Sequence, residues 1–469
     1  MSREKELAKN TIILSIGTFL PKFAALVTIP IITSQLTKTE YGTYDLVTTL
    51  VSLLLPIVTL QIHSSAFRFL IEYRDNPVEK KRIITNIYVF LIPTSVVALV
   101  IFYLFLSDFN LFLRLLVVLY FFLDIILVAT QQVVRGLSKN KLYSLSAVIQ
   151  SFTNAILVVA LVGIGKNGLN GVLLSFNIAA FLGTAFLLVK GGIIQEIDFS
   201  MRSIELQKKM LNYSWPMIPN TLSGWVLAAS DRFVLTAFLG LEALATYAAA
   251  NKIPLLFTSV QGTFVFAWQE NASLALSDAD VEKYYSDMFD RIFCILTGIM
   301  TLLIGSTPVL FWALIRGDYR EAYPQMPILF MGVFFSALSS FMGGIYIAHK
   351  RTKNVGITTM LAAACNLAID LSTVRMIGIF AASVSTLISY VLLAVYRMHD
   401  VKRFQPIKYQ YGKVTLCLCV LVLMCIVCWF NVLWLNIANF ILGCLIAVAI
   451  NRKLLWGIFR SFTARFGRT

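Results

Sequence analysis

Long apolar runs, parted by short polar stretches, recur along the whole of this chain. That pattern leaves few folds open. The hydrocarbon core of a bilayer takes about 20 apolar residues per helix. Backbone groups in lipid must bond within their own segment, so the runs are read as membrane-spanning helices. Fourteen are expected. The first six lie at 11–34, 43–67, 83–106, 111–134, 144–164 and 169–189. Six more follow at 211–238, 245–268, 292–314, 326–348, 356–374 and 378–396, then a pair at 414–430 and 436–451. Composition agrees, with 58% hydrophobic and 13% charged residues where a soluble domain carries roughly 25% charge. The first run is too long for a signal-peptide core and reads as an uncleaved span.

A net charge of +15 would suit nucleic acid if a soluble basic domain held it. Instead the basic residues occupy alternate segments between spans, and no nucleic-acid partner is expected. With the N-terminus in the cytoplasm, thirty of the 39 Lys and Arg fall in inner segments. Lys38, Lys166, Arg316, Arg320 and Arg375 fall outside, and Lys22, Arg114, Arg232 and Lys252 lie within spans. This asymmetry places both termini in the cytoplasm. After the last span, Trp456, Phe459, Phe462 and Phe466 recur among basic residues, as in a helix lying on an anionic leaflet. Anionic membrane lipids are therefore expected partners.

The chain also repeats itself. A shift of 203 positions puts Leu36 on Leu239, Thr43 on Thr246 and Tyr44 on Tyr247. Such duplication is how many transporters are built. The expectation is an all-α polytopic membrane protein with two pseudo-symmetric six-helix lobes and two additional C-terminal helices. The lobes are placed at 1–190 and 210–397, joined by a cytoplasmic linker at 191–209 that holds a short surface helix. Residues 398–469 supply the last pair and the basic tail. Charges are not repeated: Lys22 maps onto Trp225. An asymmetric path suits a ligand whose two ends differ.

Signals of enzymatic or metal chemistry are weak. All seven cysteines lie in apolar runs, and three histidines are too few for a Cys/His cluster. Asp278-Ala-Asp280 spells a sugar-nucleotide pattern but sits in an acidic stretch, Glu270–Arg291, expected as a solvated loop or amphipathic helix. Gly163 to Gly168 lacks the glycine spacing and the hydroxyl residue of a phosphate loop. No loop exceeds about twenty residues, so a catalytic domain has no place. No enzyme activity and no cofactor are expected.

Leu36-Thr-Lys-Thr-Glu-Tyr-Gly-Thr-Tyr44 resembles the polysaccharide-biosynthesis flippases, the Wzx-type branch of the multidrug/oligosaccharidyl-lipid/polysaccharide exporter superfamily. Trp215-Pro216, Ser230-Asp231-Arg232-Phe233, Thr246-Tyr247 and Asn251-Lys252 look like that family's seventh and eighth spans. The resemblance implies two lobes around a central cavity. It implies alternating-access flipping of an undecaprenyl-diphosphate-linked oligosaccharide across a bacterial cytoplasmic membrane, beside polysaccharide polymerase machinery. Rival readings are a peptidoglycan-precursor flippase, an ion-coupled multidrug antiporter, and a membrane glycosyltransferase or polymerase. With no ATP site in the sequence, the candidate energy sources are a sodium or proton gradient and mass action on the product side.

Ionisable groups within spans are the candidate site residues, since each costs roughly 2.5–3.5 kcal/mol near the bilayer centre. Lys22 lies mid-span and reads either as a cation for the diphosphate or as a structural partner of Asp124. Asp124, Asp231 and Asp370 are candidates for ion coupling or charge pairs. Asp231 is expected to pair with Lys252, leaving Arg232 to face the cavity. Arg68 and Arg135, at the inner ends of their spans, are placed to meet phosphate oxygens or simply to obey the charge rule. Arg114 is read as snorkelling outward.

Overall fold

The computed structural model describes residues 3–466 apart from Arg74 and Ser277. Side chains are described from Gly17 to Trp456, apart from those two, Thr263, Phe266 and Lys453. Among the described residues every regular element is a helix. The first nine are α1 (Arg3–Gln35), α2 (Lys38–Val58), α3 (Ile62–Tyr73), α4 (Pro77–Phe105), α5 (Leu111–Gly136), α6 (Asn140–Leu157), α7 (Gly168–Lys190), α8 (Ile204–Ser214) and α9 (Met217–Leu239). Then come α10 (Leu241–Ala275), α11 (Val281–Gly305), α12 (Thr307–Leu314), α13 (Gln325–Ala348), α14 (Thr352–Ile377), α15 (Phe380–Lys402), α16 (Tyr411–Phe430) and α17 (Leu433–Phe466). Thirteen segments among the described residues are long and apolar enough to cross a membrane. The remaining expected run, 245–268, lies inside α10. The protein is thus a multi-pass membrane protein.

Contacts divide the chain into two compact units, Met1–Trp225 and Val226–Thr469. The repeat shows in the helix boundaries: α2 starts at Lys38 and α10 at Leu241, the same 203-residue offset that aligns their sequences.

In the first unit, the repeated motif is a helix start. Thr37 caps α2: its hydroxyl accepts from Glu40 N at 3.2 Å, and Glu40 Oε2 accepts from Thr37 N at 2.9 Å. This reciprocal box satisfies amide donors that the first turn leaves open. Glu40 Oε1 also accepts from Leu169 N at 3.4 Å, fastening the start of α7. Gly168 allows that approach, with φ +51° and a would-be Cβ only 2.5 Å from Glu40 Oε1. Helix α1 packs along α6 and its π-helical continuation, Val158–Ile164. The contact is close, since a Cβ on Gly17 would lie 2.5 Å from Ser144 Cβ. Small residues at such crossings let membrane helices pack backbone to backbone.

Two expected spans are corrected by breaks in the helices. The span expected at 43–67 is two helices, broken at Thr59–Gln61, where Leu60 and Gln61 take φ of 45° and 58°. Non-glycine residues adopt this region only when surroundings hold them there. Ser214 Oγ donates to Leu60 O at 2.9 Å, and Gln61 Nε2 donates to Thr221 Oγ1 at 2.9 Å, so tertiary partners hold the break. The span at 292–314 also divides, with α12 restarting at Thr307 and Pro308 in its first turn. Of the two readings of the acidic stretch Glu270–Arg291, helix is the one found over most of it: α10 ends at Ala275 and α11 starts at Val281.

The linker does hold a short helix, α8, and it is fastened to α4 rather than loose. Asn86, fully buried, donates to Met201 O at 3.0 Å and accepts from Ser203 N at 2.7 Å. Lys80 and Glu196 form an ion pair at 2.6 Å. After the last span, the basic tail continues α17 without a break to Phe466. The side chains of Phe459, Phe462 and Phe466 lie outside the described residues.

In the second unit α13 is the central helix, buried along nearly its whole length. Trp268 of α10 stacks on Phe341 of α13 at 4.3 Å and donates Nε1 to its carbonyl at 2.8 Å. The indole thereby buries its area while its N–H stays bonded. Arg397, counted from sequence among the inner-segment charges, is buried at 4% exposure. Its guanidinium donates to Thr358 Oγ1 at 2.9 Å, Thr359 Oγ1 at 2.9 Å and Ser339 O at 3.0 Å. It ties α15 to α14 and α13 with the planar fork that lysine lacks.

Candidate functional site

One set of polar residues in the second unit converges on two buried carboxylates. Asp231 of α9 is 1% exposed and Asp370 of α14 is fully buried. Tyr247 of α10 donates its hydroxyl to Asp231 Oδ2, and Thr386 of α15 donates to the same oxygen at 3.3 Å. On α14, Asn366 stands one turn before Asp370, so both project from one face. Its Oδ1 accepts from Ser230 Oγ at 3.1 Å, and its Nδ2 donates to Ser385 Oγ at 3.3 Å and Thr386 Oγ1 at 3.4 Å. Four helices thus meet through one hydrogen-bonded net. Asp231 and Asp370 lie within electrostatic reach of each other.

That net leaves acceptors over. Asp231 Oδ1 and both carboxylate oxygens of Asp370 have no hydrogen-bond partner among the described residues. Two like charges in a low-dielectric interior repel, and an unpaired buried carboxylate is costly. Protons or a small hard cation relieve that cost. The donor set is carboxylate, amide and hydroxyl oxygen, the set such cations take. Among the described residues no group of three or more His, Cys, Asp or Glu side chains is placed to hold a metal ion.

Arg232 was expected to be left facing a cavity. It is buried at 5% exposure, donates to Ala228 O at 3.3 Å and lies 5.9 Å from the centre of the Tyr247 ring. Its charge offsets that of Asp231 next to it in sequence. Lys252 is half-buried on α10. The partners described for Asp231 are Tyr247 and Thr386.

In the first unit, Lys22 lies in the apolar middle of α1 and is half-exposed. No ion pair within 4.0 Å joins it to Asp124. The reason is packing: α1 runs along α6, whereas Asp124 on α5 lies beside Tyr120. Tyr120 and Tyr44 both contact Phe176, at 5.8 Å each. Arg68 is exposed on α3. Arg135 is held between the Phe67 and Tyr143 rings at 4.9 and 5.3 Å. Arg114 does not reach out to solvent alone; it donates to Leu106 O at 3.0 Å and Ser107 O at 2.9 Å, closing the end of α4.

Sequence reasoning passed over Asn366, Thr386, Ser230 and Ser385. One signal was available, Asn366 and Asp370 at helical spacing within a single apolar run. The repeat had already marked Tyr247.

The model of the polysaccharide biosynthesis protein family matches residues 7–268, more than half of the chain. This protein belongs to that family. The match includes Lys22, Asp124, Asp231 and Lys252, and ends before Asp370. Among solved structures, a lipid II flippase MurJ in an inward closed conformation is similar with a TM-score of 0.71 and 15% identity, over 95% of this chain and 100% of that one. An inward-facing multidrug-resistance MATE transporter of the MOP superfamily is similar with a TM-score of 0.66 and 11% identity, over 84% and 98%. A MOP-superfamily transporter from Pyrococcus furiosus, described as having reversed binding-pocket polarity, follows with a TM-score of 0.59 and 11% identity, over 84% and 95%. No curated protein matches. At these identities the solved structures establish the fold, that of flippases and exporters of the MOP superfamily, and the family member has that fold along nearly its whole length.

Proposed function

We propose that this family member flips an undecaprenyl-diphosphate-linked oligosaccharide across a bacterial cytoplasmic membrane by alternating access. Lys22 supports an anionic substrate: it is a half-exposed cation in the apolar stretch of α1, without an ion pair among the described residues. A mid-membrane cation lowers the cost of moving a diphosphate through low dielectric. Arg68 on α3 and Arg135 on α5, two helices that pack together, would receive the diphosphate at the inner mouth, and Lys252 adds a further cation. The distribution of basic residues supports cytoplasmic N- and C-termini.

Coupling is assigned to the second unit. The observation that carries it is the pair of buried acids with unpartnered oxygens, Asp231 and Asp370. A sodium ion or protons bound there would stabilise one arrangement of α9, α14 and α15 over another. An ion shifts such an equilibrium only by its differential affinity for the two states. Asp124, in its aromatic setting, is the lesser candidate. Polysaccharide polymerase machinery would take up the product on the outer face.

The likeness to a lipid II flippase favours one second reading, a peptidoglycan precursor as substrate. Complementation separates the two. The gene is introduced into strains lacking an oligosaccharide-lipid flippase and into a strain depleted of its peptidoglycan-precursor flippase. Restored surface glycan in the first set alone supports our reading. Restored growth of the depleted strain alone overturns it.

A further inference from the structure

Several charged side chains of the second unit that play no part in the proposed function face one cavity. It has a volume of about 1160 Å³ and opens where α11 and α16 begin and α17 leaves its apolar run. One wall is a stripe on α11. Lys283, Asp287, Arg291 and Ile295 follow at intervals of four, so they share a face that changes sign twice and then turns apolar. The opposite wall is α17, with Ile450, Arg452 and Leu454. Asn451 fixes that wall by donating to Cys294 O at 3.1 Å.

Other charges at the cavity neutralise each other. Lys413 pairs with Asp290 at 2.7 Å and Lys408 with Glu282 at 3.4 Å. Lys283, Asp287, Arg291 and Arg452 have no ion pair among the described residues, and the three on the α11 stripe are exposed. What remains is a two-signed surface in a cavity that Ile295 and Ile450 also line. It lies at the level where two candidate membrane helices pass from apolar to polar sequence.

We propose that this cavity binds a zwitterionic phospholipid that carries a free ammonium group. The phosphate lies against Arg291 and Arg452, where the guanidinium fork suits its oxygens. The ammonium lies against Asp287, one helical turn or about 6 Å away along α11. The acyl chains run along Ile295 and Ile450, on the membrane side of the two arginines. A net-anionic headgroup would face repulsion from Asp280 and Asp287, both at the cavity wall. A soluble zwitterion would leave Ile295 and Ile450 wet.

Native mass spectrometry of the full-length, delipidated protein tests this, with phosphatidylethanolamine, phosphatidylcholine and phosphatidylglycerol of identical chains titrated separately. Phosphatidylethanolamine should bind at least about fivefold more tightly than either other lipid. Asp287→Asn should abolish its advantage over phosphatidylcholine, and Asp287→Glu should keep it. Arg291→Gln with Arg452→Gln should weaken both. Chain-free glycerophosphoethanolamine at equal concentration should not displace the lipid. The proposal is overturned if phosphatidylglycerol binds as well as phosphatidylethanolamine, if Asp287→Asn leaves the preference intact, or if the chain-free headgroup competes as well as the lipid. Melting temperature, expected unchanged because these side chains are exposed, separates lost binding from lost fold.

Discussion

Tyr247 donates its hydroxyl to Asp231, and the position that matches Tyr247 in the first half of the chain, Tyr44, packs its ring against those of Tyr41 and Phe176. The duplicated scaffold has thus kept a tyrosine at both positions, and in the second unit its hydroxyl serves a buried carboxylate. Replacing it tests whether that bond orders the site. Tyr247→Phe leaves a buried carboxylate oxygen with Thr386 as its remaining described donor, a loss of about 1–3 kcal/mol. The thermal midpoint in detergent should fall. Asp231→Asn and Asp370→Asn remove charge at nearly constant volume, so the protein should stay folded while cation- or proton-dependent transport falls at least about tenfold. Transport in proteoliposomes, with and without an imposed sodium or pH gradient, reads this out. Wild-type dependence on the gradient in Asp370→Asn would remove that residue from coupling.

Lys22 gives a graded series. Lys22→Ala should abolish most transport with normal insertion, and Lys22→Arg should retain a fraction because charge is kept while shape changes. Lys22→Glu should be worse than alanine, since it repels a diphosphate. Surface glycan in a complemented strain is compared with membrane protein level. Wild-type display by both Lys22→Ala and Lys22→Glu would place the residue off the path.

Arg397 is expected to hold the second unit together without touching substrate. Arg397→Gln removes several charge-assisted bonds to α13 and α14, for a loss of about 3 kcal/mol. Arg397→Lys should recover only part, lacking the fork. The check is the melting midpoint, with transport falling only as fast as folded protein does.

Gly168 and Glu40 should behave as one unit. Gly168→Ala places a Cβ 2.5 Å from Glu40 Oε1 at a φ of +51°, and Glu40→Ala dismantles the cap, each for about 1 kcal/mol. The double variant should lose less than the two singles together, because removing Glu40 relieves the clash. Strict additivity in denaturation would count against the contact.

Topology offers the simplest check. Cysteines at Gly412 should be shielded from a membrane-impermeant label in intact cells, and cysteines at Gly168 and Asp318 should react. Labelling at Gly412 would reverse the orientation drawn from the basic residues.

Membrane class, the positions of most spans and the duplication were legible in the sequence because each rests on a local quantity. A run of apolar residues is long enough to cross lipid or it is not, and a helix cap such as Thr37–Glu40 lies within four residues. Lys22, Asp124, Asp231 and Asp370 stood out for the same reason, as charges where charge is costly. Their neighbours were a different matter. That Lys22 and Asp124 lie apart follows from α1 packing on α6, and that Asp231 joins Tyr247, Thr386 and, through Thr386, Asn366 follows from four helices meeting. The breaks at Thr59–Gln61 and Ser306–Thr307 were hidden as well, since the apolar pattern runs through both. Ser214 and Thr221, more than 150 positions on, hold the first. Local pattern sets which segments enter the membrane as helices, while pairing across helices depends on packing between residues far apart in the chain, which only the tertiary structure decided.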